Sequence, residues 1–509
     1  MAVARTLGIA LQGLAGSLVE IEADITSQTP KLVLIGLPDA ALNEARDRVR
    51  SAAQNAGAPL PPRQLTINLS PAALPKHGPG FDLAIALVAA AAAGVILPEA
   101  IANTVHLGEL ALDGRLRPIP GVLPAVHAAA KQGVARVVVP EGNLAEAQFV
   151  PGIAVDSAIS LRQLLIRYGA EIEPRDEPAI PAPPPTATAT AASTDLAEVI
   201  GHSDAIDALI AAAAGGHHLL MLGPPGAGKT MLAERLPGIL PPLSTDAAIE
   251  TASIASLCGV PASASLNLTP PWQAPHHTST AVAIAGGGSG HIRPGAAARA
   301  HAGVLFLDEA PEFSRAVLDV LRQPLESGEI TIHRANATAR FPARFQLVLA
   351  ANPCPCGKWG LAENECQCPP MMRRRYLARL SGPLLDRVDI QLWLPRSTTR
   401  LPDGGSVTST AQARERVLAA RHRAEHRLKA TPWRTNAQAA GSWLRTQAPS
   451  LERPAAELLD AAVRRGGLSL RGADRVLRMS WTLADLAGLD QPGIEQLRRA
   501  LYFRKGITQ

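Results

Sequence analysis

Aromatic residues are scarce, with Phe, Trp and Tyr together making up only 3% of 509 residues. Cysteine is rarer still at 5, an odd count that excludes a fully paired disulfide framework. No apolar run reaches the ~20 residues that a membrane-spanning helix needs. The longest, Leu83 to Leu97, is rich in alanine and reads as a buried helix. The amino terminus has only Arg5 ahead of a weak apolar run containing Gln12, which makes a poor signal peptide. Neither sign of charge dominates, since 49 Lys and Arg against 44 Asp and Glu leave a net +5. That balance permits a polyanionic partner without requiring one. A soluble chain in the reducing cytoplasm, with no membrane partner, is the expectation.

The apolar fraction, 47%, supports globular folding, and the length calls for two to four domains. The clearest boundary is proline-rich: six prolines fall between Pro174 and Pro185, followed by an Ala/Thr/Ser tail. Such a composition cannot bury enough apolar surface to fold. Residues 171–194 therefore read as a linker between an N-terminal domain, 1–170, and a core, 195–400, with 401–509 a largely helical region. In the first domain Leu32–Ile35, Gln64–Leu69 and Val137–Val139 predict strands, and Ala40–Ala56, Phe81–Ala93 and Gly121–Lys131 predict helices. The fold class is α/β. In the last region Thr410–Leu428, Ala455–Val463 and Arg471–Leu486 read as packed helices.

The core opens with Gly223-Pro224-Pro225-Gly226-Ala227-Gly228-Lys229-Thr230, between the apolar run Leu219–Leu222 and a helix-compatible stretch. This is the strand, loop and helix order of a phosphate-binding loop. Its glycines let backbone amides face the phosphates, Lys229 reaches the β/γ oxygens, and the Thr230 hydroxyl can hold Mg²⁺. Val304-Leu305-Phe306-Leu307 reads as a buried strand ending in Asp308 and Glu309. Asp308 suits Mg²⁺ and Glu309 suits polarisation of an attacking water, while Asn352, after the strand Phe345–Ala351, can orient that water. For Asn352 the alternative is a plain turn residue. Glu329–His333 and Ala337–Phe341 predict a hairpin.

Four cysteines cluster as Cys354-x-Cys356 and Cys366-x-Cys368, with nine residues between the pairs. They can surround one tetrahedral Zn²⁺, although each pair is tighter than the common Cys-x2-Cys knuckle, and unligated thiols are the alternative. His276 and His277 are adjacent and form a weak metal signal; contact with DNA or with a subunit interface is as easily supposed. Arg373-Arg374-Arg375-Tyr376 makes a local basic patch able to contact phosphate backbones, or simply a solvated face. Arg387 and Arg471 are candidate charge sensors, with surface or ion-paired arginines the alternative.

Together these residues resemble the ComM/YifB family of magnesium-chelatase-like AAA+ ATPases. The resemblance runs over nearly the whole chain. Besides the phosphate loop it rests on Asp195 to Gly201, Ala211 to His217, Pro275-His276-His277, Ala302 to Glu309, Pro311-Glu312-Phe313, Glu326-Ser327-Gly328 and Leu380 to Asp389. It implies an ATP- and Mg²⁺-dependent homo-hexameric ring that acts on single-stranded and branched DNA. Its expected activity is helicase-like branch migration during recombination of incoming DNA in natural transformation, alongside recombination proteins. It further implies Glu309 as catalytic base, Asn352 as first sensor, Arg387 as an arginine finger acting in trans and Arg471 as second sensor. The hairpin and the segment His276–Gly290 would face the pore. A chelatase-like or protein-remodelling ATPase is the alternative. The N-terminal domain resembles the ribosomal-S5/Lon-protease fold, yet Gly80 stands where that protease's serine is expected and Leu123 where its lysine is expected. Peptide hydrolysis then lacks both nucleophile and base. Two positions depart from the family pattern: Gln273 after Trp272 where an arginine is usual, and Trp481, also in place of arginine.

Overall fold

The computed structural model describes residues 3–36, 40–76, 78–181, 194–260, 265–288, 292–334, 337–361, 366–396, 407–446, 451–466 and 468–505. Most of the expected linker, 182–193, lies outside the described residues, as do the boundary at 397–406, the hairpin tip 335–336 and 289–291, part of the segment expected to face a pore. The linker's first residues are not free of the N-terminal domain. Ile172 packs into its core, and Arg162 donates to the Glu173 carbonyl and pairs with Glu177.

In the N-terminal domain seven strands form one sheet, in the order Lys31–Ile35, Gln64–Ser70, Ala15–Thr26, Ala4–Gln12, Thr104–His106, Arg136–Pro140 and Ala154–Ala158. The weak apolar run at the amino terminus is thus a strand, paired antiparallel with its successor across a turn at Gly13. The long apolar run is the helix Asp82–Ala92, buried from Asp82 through Ala91. Its one charge, Asp82, is met by two hydrogen bonds from Arg48, at 2.7 and 3.1 Å. A buried carboxylate requires such a partner. Gly80 lies beside Ile119, and Leu123 is fully buried among apolar side chains. Neither position offers a nucleophile or a base.

The core sheet is wholly parallel, ordered Trp272–Gln273, Val304–Leu307, Gln346–Ala351, Leu219–Leu222, Ile390–Trp393. The three inner strands are continuously apolar apart from Gln346 and buried at every position. That is the pattern of parallel strands covered on both faces. The hairpin Glu329–Arg334 with Ala337–Pro342 forms as expected. It leans on the N-terminal domain through a bridge between Arg340 and Gly13, and Gly286 and Gly287 pack against its Ile332 and Arg334. A second junction joins the helix Val122–Lys131 to the core helix Thr245–Leu257, where the Gly121 amide donates to the Ser256 carbonyl at 3.0 Å.

The C-terminal helices Thr410–Leu428, Arg453–Arg464, Leu470–Ala487 and Ile494–Lys505 share one apolar core with the helix Ser203–Gly215 and the strand Leu219–Leu222. No helix among the described residues is long and apolar enough to cross a membrane. Trp481 fills this core, with the Arg427 guanidinium 4.3 Å from its ring centroid. Arg427 also forks onto Asp485, at 2.6 and 2.7 Å. A second buried ionic junction ties these helices to the sheet. Asp389, just before the edge strand, accepts from Arg475 at 2.6 Å and lies 3.4 Å from His217, whose other ring nitrogen bonds Thr482. Burial alone would push the Asp389 carboxyl up, but Arg475, His217 and His218 outweigh it and hold it below the usual aspartate range. A depressed folded-state pKa stabilises above the unfolded value of about 4, and that contribution is lost as pH falls below it. Asp389→Ala strands Arg475 in the interior and is expected to cost about 3–5 kcal/mol. Denaturant unfolding checks this, and a change below about 1 kcal/mol would refute the junction's importance.

Candidate active site

The phosphate loop leaves the sheet at Leu222 and turns into the helix Lys229–Ile239. Gly226 and Gly228 sit at φ 78° and 80°, a left-handed region that other residues enter only with strain. Gly223 has a different constraint: a Cβ there would lie 2.3 Å from the Leu394 carbonyl oxygen. Parallel register sets Leu222 beside Ala351, and Leu349 beside Leu307. The three strands therefore deliver Gly223, Asn352 and Asp308 to one end of the sheet, where ligands of open α/β sheets bind.

The Lys229 ammonium donates to the Gly223 carbonyl at 2.6 Å, the Pro224 carbonyl at 3.0 Å and the Asn352 side-chain oxygen at 3.1 Å. Burial lowers its pKa, against the opposing pull of Asp308 and Glu309. The Thr230 hydroxyl donates to Asp308 Oδ2 at 2.8 Å. These two hard oxygens at the foot of a phosphate loop fit Mg²⁺, which would neutralise phosphate charge there. Glu309 adopts φ 50°, ψ 43°, a left-handed conformation that costs a non-glycine residue about 1–2 kcal/mol. Strain of this kind at a site of charge is a pointer to function.

His276 and His277 lie in an irregular segment after the strand Trp272–Gln273, with ring centroids 4.1 Å apart. Among the described residues, His277 Nδ1 lies 3.2 Å from Glu309 Oε2. The pair thus has an acidic neighbour that sequence spacing does not reveal. Both histidines line a cavity of about 390 Å³ together with Thr230, Glu234, Asp308 and Glu309, and its apolar wall is the stacked pair Trp272 and Phe306.

The two candidate sensor arginines lie together. Arg387 pairs with Glu326 and donates to the Pro383 carbonyl at 2.5 Å, while its Nε is buried with no hydrogen-bond partner among the described residues. Burial, then the charges of Arg475, Arg471 and Arg322, lower its pKa. Arg471 is 84% exposed, with Asp386 at 3.9 Å. Neither lines the cavity beside Thr230 and Asp308. Sequence reading misses Arg396, which donates to the Pro225 carbonyl at 3.3 Å, and His202, whose ring approaches Gly228. Arg396 follows the edge strand Ile390–Trp393, and that strand's place beside Leu219–Leu222 left no local signal.

The four cysteine sulfurs all lie within 4.8 Å of one another. Arg374 and Arg375 are exposed on the helix Pro370–Leu377, and the Arg373 guanidinium lies 5.3 Å from the Trp359 ring centroid.

Comparison with known proteins agrees with this architecture. Residues 195–401 match the family described as magnesium chelatase, subunit ChlI, residues 21–143 match subunit ChlI of Mg-chelatase, and residues 407–504 match the ChlI C-terminal family. The competence protein ComM of Haemophilus influenzae is 40% identical over 516 residues, 99% of this chain and 98% of that one. An uncharacterized protein YifB of Escherichia coli is 39% identical over 495 residues, 96% and 94%. The chain belongs to the ComM/YifB family of magnesium-chelatase-like AAA+ proteins. An uncharacterized protein of Mycobacterium tuberculosis is 49% identical over 510 residues, 99% of each. A shorter stretch is 32% identical over 158 residues to the Lon protease of Mycolicibacterium smegmatis, 30% of this chain and 20% of that one. Membership in this AAA+ family implies use of ATP and Mg²⁺.

An imidazole bonded to one carboxylate oxygen makes that oxygen a poorer acceptor for a proton from water. His277→Ala is therefore expected to leave binding of a fluorescent ATP analogue unchanged and to raise steady-state ATP turnover severalfold. Unchanged or lower turnover in the variant would refute this latch.

Proposed function

We infer that the protein is an ATP-driven homo-hexameric DNA motor, acting in the cytoplasm, that moves branched junctions during recombination of incoming DNA. The observation that carries this reading is a complete phosphate-hydrolysis set within a chain 40% identical, end to end, to a competence protein. Gly223 to Thr230 hold the nucleotide, with Lys229 on the β/γ oxygens and Thr230 and Asp308 at Mg²⁺. Glu309 takes the water's proton, and Asn352 shifts from Lys229 to the water or γ-phosphate. Arg387 acts on the neighbouring subunit's nucleotide as an arginine finger, and Arg471 serves as second sensor. That Arg387 does not line the cavity beside Thr230 and Asp308 supports its role in trans. Single-stranded and branched DNA is the substrate, and recombination proteins are its partners. The exposed Arg374 and Arg375, beside the half-exposed Trp359 and Arg373, suit a phosphate backbone with stacked bases.

The family match to a magnesium chelatase subunit favours one other reading, a ring that remodels a protein. One experiment separates them: ATP-dependent branch migration on a labelled three-stranded DNA intermediate, with Glu309→Gln as matched control. Movement by the wild type and none by the variant is expected. A protein that hydrolyses ATP, moves no DNA and is indifferent to DNA in its turnover would refute the DNA motor. Arg387→Ala should retain nucleotide binding yet lose about 10³-fold in turnover, as removal of an arginine finger does. Turnover within about threefold of wild type would exclude that role.

A further inference from the structure

We propose that Cys354, Cys356, Cys366 and Cys368 bind one Zn²⁺, and that this metal knuckle locks the sensor strand and the phosphate loop to the basic helix. The sulfur geometry comes first. Cys354 and Cys356 are 3.3 Å apart, and each lies 3.7 Å from Cys366. A disulfide requires about 2.05 Å. A tetrahedron with Zn–S bonds of about 2.3 Å has sulfur–sulfur edges of about 3.8 Å. The spacing therefore excludes bonded pairs and fits four thiolates on one soft divalent ion. Peptide amides are already turned toward the sulfurs: the Trp359 N–H donates to Cys354 at 3.4 Å, and the Lys358 amide donates to Cys356. Such donors stabilise metal-bound thiolate and orient it.

The knuckle's attachments give it a consequence. Cys354 follows Asn352 by two residues, so its position fixes where the strand Gln346–Ala351 ends. Gly357, at φ 74°, lies against the phosphate loop so closely that a Cβ would stand 2.7 Å from Pro225 Cγ. Trp359 packs edge-on to Trp393, the last residue of the strand beside Leu219–Leu222. Cys368 is followed directly by Pro369, the cap of the helix bearing Arg373, Arg374 and Arg375. A single ion thus ties together the loop that holds phosphate, the strand end that carries Asn352, and the exposed Trp/Arg surface. Cys356 is exposed and Cys354 is buried, so the site is open to chelators and oxidants from one side. The metal site stands on its own; its coupling to nucleotide rests on the phosphate-loop reading above.

The test uses the full chain. Zinc released by a thiol-blocking mercurial is counted with a chromogenic chelator, and affinity for a fluorescent ATP analogue is measured in parallel. Wild type and Cys258→Ser should each release one zinc per chain, and the Cys356→Ser/Cys366→Ser double variant less than a tenth. With its helical circular dichroism intact, that variant should bind the analogue at least about tenfold more weakly. A wild type without zinc after purification in zinc-containing buffer would overturn the site. A zinc-free variant with wild-type nucleotide affinity would overturn the coupling. Wild-type nucleotide binding, read in the same assay, distinguishes that failure from a failure of the phosphate-loop reading.

Discussion

The site depends on the register of three buried parallel strands. Leu222 beside Ala351, and Leu349 beside Leu307, is the alignment that lets Lys229 reach Asn352 and Thr230 reach Asp308. In strands buried on both faces, a one-residue slip exchanges the two apolar faces and also moves every residue at the strand ends. The strands contain no charge and one buried amide, Gln346, whose NH₂ donates to the His217 carbonyl. That bond and the Leu347 amide donating to His218 Nδ1 mark the amino-terminal edge of the sheet. Burial pushes His218 down to about 4, so the ring is neutral and can accept. Polar groups at one end thus fix the register that the charged groups at the other end require.

Charge placement divides the molecule into a site that receives anions and a surface that offers cations. Lys229 is satisfied by two loop carbonyls and Asn352, and phosphate oxygens, being charged, are better acceptors than these neutral ones. Arg387 is in the opposite condition, crowded by three arginines and held by the exposed Glu326 and the Pro383 carbonyl. A cation so placed gains more from a multiply charged phosphate than one already well paired would. This asymmetry, and not exposure alone, separates Arg387 from arginines such as Arg427, which is fully engaged by Asp485 and Trp481.

Much of this was legible from the sequence because the signals are local. Apolar runs ending in Gly, Asp-Glu or Asn mark the strand ends, and the helix Thr410–Leu428 has its predicted bounds. Most of what escaped is what only the third dimension supplies. In the first hairpin the strand Ala4–Gln12 does not alternate, whereas Val19 to Thr26 alternates apolar and polar residues, a legible strand signal that the sequence reading passes over. Trp272–Gln273 is two residues long, below any periodic signal, yet it sets the course of the chain into His276 and His277. Arg396 and His202 reach the phosphate loop from elements distant in sequence. Adjacent histidines carry no sign of an acidic partner thirty-two residues away, so the pairing of His277 with Glu309 had no sequence trace.

That pairing gives the cavity a direction of control. His277 opens a segment that continues through the short helix Ala281–Ala285 to Gly286 and Gly287, which rest on the hairpin at Ile332 and Arg334. The hairpin in turn touches the N-terminal domain at Gly13. The contact between His277 and Glu309 is thereby tied through this segment to the hairpin, whereas Thr230 sits in the first turn of the helix Lys229–Ile239 and Asp308 follows the strand Val304–Leu307. The Thr230–Asp308 pair and the partner of Glu309 are thus borne by different elements. The buried sheet presents one and the irregular segment from His276 presents the other. An element can act as a switch only if its two positions lie within a few kcal/mol of each other, and a half-exposed imidazole–carboxylate contact, worth about 1 kcal/mol or less, falls inside that range.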